Sequence, residues 1–224
     1  MVSTGLPVPY YDQDGITIYN ADCRDILPLL PRVDLVLTDP PYGIGISGQK
    51  MSIANNPKHN RKYHEDLGWD KERPCKSIFI QVLEKAESQV LWGGNYFADL
   101  LPATRGWFYW DKGQNGLSMS DGELAWTSRD GALRACVLNR ASLGADGSVH
   151  PTQKPIKLMT WCLSFFPDAQ TILDPFMGSG TTLVAAKLLG KKAIGIELEE
   201  KYCQIAVERL AQGNLFGAGE EVKW

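Results

Sequence analysis

Hydrophobic positions along the chain fall into short β-branched or aromatic runs that end at an acid or a glycine turn, separated by stretches of helical period. Val33–Thr38 (VDLVLT) is apolar at nearly every position, the pattern of a parallel strand buried on both faces. It ends in Asp39-Pro40-Pro41-Tyr42, where two prolines in succession stop strand and helix alike. Ile16–Ala21 is a shorter run ending at Asp22, and Arg24–Leu30 predicts a short helix stopped by Pro31. Ser77–Lys85 predicts a helix, followed by a strand at Val90–Trp92 that enters Gly93-Gly94-Asn95. Gly106–Trp110 and Glu123–Trp126 predict two further strands, antiparallel across a polar, Gly-rich connection. Asp111–Gly122 and Arg129–Val149 read as irregular.

The last third is the most regular. Ile156–Phe166 predicts a helix with Pro155 near its first turn, then Thr171–Leu173 a strand and Thr181–Leu189 a helix stopped by Gly190. Ala193–Ile196 predicts a strand ending at Glu197, and Glu200–Gln212 an amphipathic helix with Tyr202, Ile205, Ala206, Arg209 and Leu210 on its inner stripe. Strand and helix alternate with Gly-rich strand–helix turns, which predicts a doubly wound α/β sheet.

The chain's 224 residues fit one domain, and 44% hydrophobic content excludes a disordered chain. No apolar run approaches the ~18 residues of a membrane span, and the first residues do not form a signal peptide. The five cysteines (Cys23, Cys75, Cys136, Cys162 and Cys203) form no CxxC pair, so neither a disulfide framework nor a zinc ribbon is expected, and a reducing cytoplasm is. Net charge is −3, which argues against a uniformly basic nucleic-acid binder. The charge is polarised, however: residues 48–76 carry +3 and residues 197–224 carry −3. A local basic surface can hold phosphates despite the overall sign.

Candidate chemistry sits at two strand ends. Asp174-Pro175-Phe176-Met177-Gly178-Ser179-Gly180-Thr181 follows one predicted strand, and Glu197 ends the next. That arrangement is the nucleoside-binding half of a Rossmann-like fold: glycines admit a ligand close to the backbone, and the second acid accepts ribose hydroxyls. No lysine follows the glycines, so a P-loop is excluded, and the third glycine of a dinucleotide fingerprint is absent. A nucleoside without a pyrophosphate fits, which points to S-adenosylmethionine; a tight turn without a ligand is the other reading.

The second strand end is Asp39-Pro40-Pro41-Tyr42, which presents an acid, a carbonyl and a ring together. An exocyclic amine of a base is a poor nucleophile because its lone pair is delocalised into the ring. Asp39 and the Pro40 carbonyl can accept its two N–H bonds, and Tyr42 can stack on a base turned out of the duplex. Read alone, the same string is a strand-terminating turn.

Together the two strings resemble the S-adenosylmethionine-dependent amino-methyltransferases of DNA, in the motif order of their β group. Here Asp39–Tyr42 come first, then His150–Pro155 (HPTQKP), then Asp174–Gly180, then Glu197. The resemblance implies a Rossmann-like sheet, mostly parallel with an antiparallel strand, in circularly permuted motif order. It implies that Asp39, Pro40, Pro41 and Tyr42 are catalytic, and that Asp174, Pro175, Phe176, Gly178, Ser179, Gly180, Thr181 and Glu197 hold the cofactor. It further implies Asp22 and Cys23 beside the cofactor's adenine, and Thr152 and Lys154 near its methionine carboxylate. Taken singly, Lys154 reads as a solvated lysine and His150 as a packing histidine; His150 is kept out of the chemistry. Leu91–Asn95, Trp110-Asp111-Lys112 and Glu123–Trp126 look like strings of phage and prophage members, though core packing explains their tryptophans equally well.

The expectation is therefore one methyltransferase domain over residues 1–224, with a DNA-contact insertion around 43–76 and parts of 111–149. DPPY rather than SPPY favours adenine N6 in double-stranded DNA. Cytosine N4, an RNA or protein amide nitrogen, and an inactive nucleic-acid-binding relative are the alternatives. Lys50, Lys58, Arg61 and Lys62 are candidate DNA contacts, with a solvated loop as the equal alternative. No metal is required, and the resemblance admits a homodimer.

Overall fold

The apolar run around Leu35 does become the central strand, and everything that positions the strand ends follows from its neighbours. The computed structural model describes residues 5–45, 72–114, 120–139 and 153–212. Its strands are β1 (Tyr11–Gln13), β2 (Ile16–Asn20), β3 (Val33–Thr38), β4 (Ala86–Trp92), β5 (Trp107–Asp111), β6 (Gly122–Thr127), β7 (Arg134–Val137), β8 (Thr171–Asp174) and β9 (Lys192–Glu197). The helices are α1 (Cys23–Ile26), α2 (Lys76–Glu84), α3 (Ile156–Ser164), α4 (Thr181–Leu188) and α5 (Glu200–Gln212). One sheet takes all nine strands in the order β1-β2-β9-β8-β3-β4-β6-β5-β7.

Parallel pairing runs unbroken from β2 through β9, β8 and β3 to β4. The sheet carries two reversed strands where one was expected: β1 pairs antiparallel with β2, and β6 with both β4 and β5. The expected antiparallel pair of β5 and β6 forms with Trp107 opposite Trp126. Two strands were not anticipated. Asp14 and Gly15 both take positive φ between Gln13 and Ile16, the two-residue hairpin turn that an Asp-Gly pair favours, and this creates β1. In β7 only Cys136 is buried, so its sequence lacks the alternating apolar face that marks a strand.

Helices cover both faces. Leu35 and Leu37 of β3 join a core with Leu158 and Trp161 of α3, Leu183 of α4, and Ala206 and Leu210 of α5. Val36 faces the other side, into a core with Ile26 of α1 and Phe79 and Val82 of α2. The inner stripe of α5 is Cys203, Ala206, Arg209 and Leu210; Tyr202 and Ile205 lie only half-buried at its border. Burying two such faces supplies the main driving force for the fold, at about 25 cal/mol for each Å² of apolar surface.

The β3–β8 pair is fixed at both ends by side chains. At the amino end, Asp34 Oδ2 accepts from the backbone N–H groups of Gln170 and Thr171 and from Thr171 Oγ1, each at 2.8 Å. At the carboxyl end, Thr38 Oγ1 donates to Asp174 Oδ1 at 2.6 Å. A slip of one residue would break all four bonds.

The glycine turn after β8 is seated on α5. Gly180 has φ +77, and a Cβ there would stand 2.7 Å from the Ala206 Cβ. Gly190 has φ +66 but open space around it. Gly180→Ala is expected to cost about 2–4 kcal/mol, from left-handed strain plus overpacking, and Gly190→Ala only the strain of about 1–2 kcal/mol. Urea unfolding of the two variants checks this; equal losses would remove the packing role of Gly180.

Candidate active site

Strand order reverses between β8 and β3: the chain proceeds outward from β8 to β9 on one side and from β3 to β4 on the other. In open α/β sheets the crevice beyond such a reversal, at the carboxyl ends, is where ligands bind. Both sequence-identified turns open here, and the Thr38–Asp174 bond joins them.

On the β8 side, Glu197 ends β9 with its carboxylate accepting from Gly178 N at 3.0 Å and Glu199 N at 2.9 Å. Burial raises its pKa to about 7, against the pull of those two N–H groups. Asp174 is buried, and burial lifts it to about 6 despite hydrogen bonds from Thr38, Thr182 and Phe176 N. Asp22 follows β2 and caps α1 by accepting from Arg24 N at 2.8 Å, with the Arg24 guanidinium holding its carboxyl below the usual range. Its neighbour Cys23 is buried, and burial pushes the thiol up to about 12, so it is no nucleophile. Asn20 and Glu197 are paired across β2 and β9, which brings Asp22 to the Glu197 side of the crevice.

The backbone of the glycine turn is held from below. Arg209 of α5 donates to Ser179 O at 2.6 Å, Ser179 Oγ at 3.0 Å and Thr181 Oγ1 at 3.1 Å. Ser179 Oγ in turn reaches Gln153 at 3.2 Å. Above the turn, Gly178 has φ +50, and a Cβ there would meet nothing within 4 Å. That open face over a bare backbone, flanked by Glu197, fits a nucleoside lying against the turn.

On the β3 side, Tyr42 donates from its hydroxyl to Asp39 Oδ1 at 2.5 Å, and Pro40 is buried beneath. The Tyr42 ring stacks on Tyr96 at 4.7 Å between centroids, inclined by 16°. A Cβ on Gly93 would fall 2.1 Å from a Tyr42 ring carbon, and one on Gly94 2.7 Å from Trp126 Cβ. Gly93 is thus what lets the ring lie against the end of β4, while Gly94 makes room for Trp126 of β6.

Lys154, expected beside the methionine carboxylate, has its Nζ 2.5 Å from Asp39 Oδ2, 3.2 Å from the Tyr42 hydroxyl and 2.9 Å from Glu123 Oε2. Glu123 Oε1 lies 2.6 Å from Lys112 Nζ. The lysine side chains are 4% and 8% exposed, against 24% for Asp39 and 25% for Glu123. Burial opposes charge on Lys154, but Asp39 and Glu123 outweigh it and hold the ammonium well above its ordinary pKa. Burial likewise opposes ionisation of Glu123, and the two lysines overcome it and hold the carboxyl at about 2. Burial raises Asp39 in spite of Lys154, and burial with the Asp39 charge raises Tyr42, which stays a phenol.

Sequence reasoning missed Glu123, Lys112, Tyr96 and Arg209 as parts of this crevice. A signal existed for the first two: a lysine and a glutamate beside strands of aromatic core residues are buried only when paired. Thr152, His150 and the candidate DNA contacts Lys50, Lys58, Arg61 and Lys62 lie outside the described residues. Among the described residues no cluster of His, Cys, Asp and Glu could hold a metal ion, and no helix is long and apolar enough to cross a membrane.

Comparison with known proteins identifies the family. The DNA methylase family profile for N6 and N4 enzymes matches residues 109–208. The type II methyltransferase M2.LlaDCHI of Lactococcus lactis subsp. cremoris is 49% identical, over 93% of this chain and 94% of that protein. The type II methyltransferase M2.DpnII of Streptococcus pneumoniae is 32% identical, over 92% and 93%. Among solved structures, the M1.HpyAVI complex with S-adenosylmethionine shares the fold with a TM-score of 0.57, at 23% identity over 87% of this chain and 98% of that one. The chain belongs to the N6/N4 DNA methylase family, the S-adenosylmethionine-dependent DNA amino-methyltransferases.

Proposed function

We propose that this chain methylates the exocyclic N6 of an adenine turned out of double-stranded DNA. The observation that carries the reading is the junction of the two strand ends: Asp39 stands one residue beyond Thr38, whose hydroxyl bonds the Asp174 carboxylate at the head of the glycine turn. A donor seated on one turn and an amine gripped by the other are then held at reacting distance. The aspartate of DPPY supports adenine over cytosine.

Glu197 accepts the ribose hydroxyls, the 178–181 backbone carries the nucleoside, and Asp22 and Cys23 flank its base. S-adenosylmethionine, when bound, supplies an electrophilic methyl on a sulfonium sulfur. Asp174 and Glu197 suit a cationic ligand, because burial has left both carboxyls raised and each gains from a nearby positive charge. Asp39 and the Pro40 carbonyl accept the two N–H bonds of the target amine and free its lone pair. The raised carboxyl of Asp39 then takes the proton that the methylated nitrogen sheds. Tyr42 fixes Asp39 through its hydroxyl and offers its ring to the base.

Asp39→Ala is expected to lower kcat by about 10²–10⁴-fold while calorimetric affinity for S-adenosylmethionine stays within about twofold. Near-normal turnover by the variant contradicts the assignment. Nucleoside mass spectrometry of DNA treated with the wild-type protein is expected to find N6-methyladenine. N4-methylcytosine instead overturns the adenine reading, and absence of both overturns the activity.

Glu197 yields a pH prediction. In the free protein its carboxyl titrates at about 7, and hydroxyl donors favour the ionised form, so binding expels a proton below that value. Affinity for S-adenosylmethionine should therefore rise with pH up to about 7 and level off above it. Glu197→Gln should bind more weakly and level off already at about 6, where only Asp174 still titrates; a wild-type pH profile in that variant refutes the ribose role.

A further inference from the structure

We propose that Glu123 is a positioning residue that draws the Lys154 ammonium off Asp39 when the target amine arrives. The inference rests on the methyl-transfer reading above and concerns a residue that the motifs leave without a role.

Both Asp39 oxygens are already engaged, Oδ1 by the Tyr42 hydroxyl and Oδ2 by Lys154, each at 2.5 Å. The Lys154 ammonium thus stands where an N–H of the substrate must bond. It is also a positive charge beside a nitrogen that becomes cationic as it accepts the methyl, so a Lys154 left in place opposes both binding and reaction. Moving it into solvent is blocked by its burial, and leaving it unpaired is costly.

Glu123 removes that difficulty. Its Oε2 is already 2.9 Å from the same Nζ, so a shift of about 1 Å takes the ammonium out of hydrogen-bond reach of Asp39 while Glu123 still holds it. Glu123 is itself held, because Lys112 grips Oε1 at 2.6 Å and lies over the Trp110 ring at 5.2 Å. The Lys154 ammonium also faces the Tyr42 and Trp92 rings, at 5.6 and 5.8 Å, which stabilise a cation through the move. Two acids and two bases keep the cluster neutral in either arrangement. The charged and titratable groups facing Asp39 are Tyr42 from its own turn, Lys154 before α3, Glu123 from β6 and Asp174 from β8.

A double-mutant cycle of Glu123→Gln and Lys154→Met, read by steady-state methylation of DNA, tests this. Glu123→Gln is expected to raise KM for DNA about tenfold and to lower kcat about tenfold as well, since the ammonium left on Asp39 opposes binding and reaction alike, each by the size of one coupled contact. Its acid limb of kcat/KM should move to lower pH, since the Glu123 charge helps hold the Asp39 carboxyl up. In the Lys154→Met background the same substitution should change KM by less than about twofold, because its effect acts through Lys154. Equal effects in both backgrounds, or an unmoved KM and acid limb, overturn the proposal. Should Glu123→Gln fail to fold, Glu123→Asp keeps the charge but withdraws it by one methylene, and is expected to raise KM with the acid limb in place; an unchanged KM there also overturns it. Wild-type methylation in the same assay separates the two claims: a silent Glu123→Gln alongside an active wild type defeats only the role of Glu123, whereas an inactive wild type defeats both.

Discussion

The parallel pairing of β3 with β8 is the constraint on which the rest of this molecule depends. It brings residue 39 beside residue 174, 135 positions along the chain, and creates the strand-order reversal that opens the crevice. Backbone ladders between parallel strands tolerate slippage where both strands are uniformly apolar. Here the register is specified by polar clamps, Asp34 with Gln170 and Thr171 at one end and Thr38 with Asp174 at the other. The clamp at the carboxyl end serves twice, since it also ties the two functional turns to one another.

The two halves of the crevice differ in electrostatic character. Beyond β8 and β9 the carboxyls of Asp174 and Glu197 meet hydroxyls and backbone N–H groups, and burial leaves them raised to about 6 and about 7. Beyond β3, acids and lysines alternate in the series Asp39, Lys154, Glu123 and Lys112, and the cluster is neutral. In the proposed reaction the first half meets a cationic donor and the second a neutral amine that becomes positive only during reaction. Buried ion pairs add little net stability. Their value here lies in fixing the Asp39 carboxylate against Tyr42, which itself lies flat only because Gly93 has no side chain.

Much of this was legible in the sequence because the chemistry uses strand ends, and strand ends announce themselves. Val33–Thr38 and Glu200–Gln212 were read at their true bounds, since a run apolar on both faces and a long amphipathic period each admit one interpretation. The Asp39–Tyr42 turn, the glycine turn and Glu197 were picked out as candidates from short strings for the same reason, and the fold brings both turns to one crevice. What escaped was whatever depends on partners distant in sequence. Glu123 is a polar residue in one aromatic strand and Lys112 follows another, and only the fold reveals that Lys154, over thirty residues onward, completes their pairing. Arg209 read as one of a helical stripe, whereas its guanidinium supports the glycine turn. The edge strand β7 escaped because an edge needs no buried face, and β1 because a polar three-residue strand is visible only through its Asp-Gly turn.

In the proposed reaction one crevice seats the donor nucleoside on Glu197 and the acceptor nitrogen on Asp39. A crystal structure with a bisubstrate compound, in which a 5′-deoxyadenosine bearing the amino-acid arm is linked to adenine N6, tests it most directly. The account predicts ribose hydroxyls within about 3 Å of the Glu197 carboxylate and the linked nitrogen within about 3 Å of Asp39. A compound bound with its ribose away from Glu197, or with that nitrogen out of hydrogen-bond reach of Asp39, would contradict it.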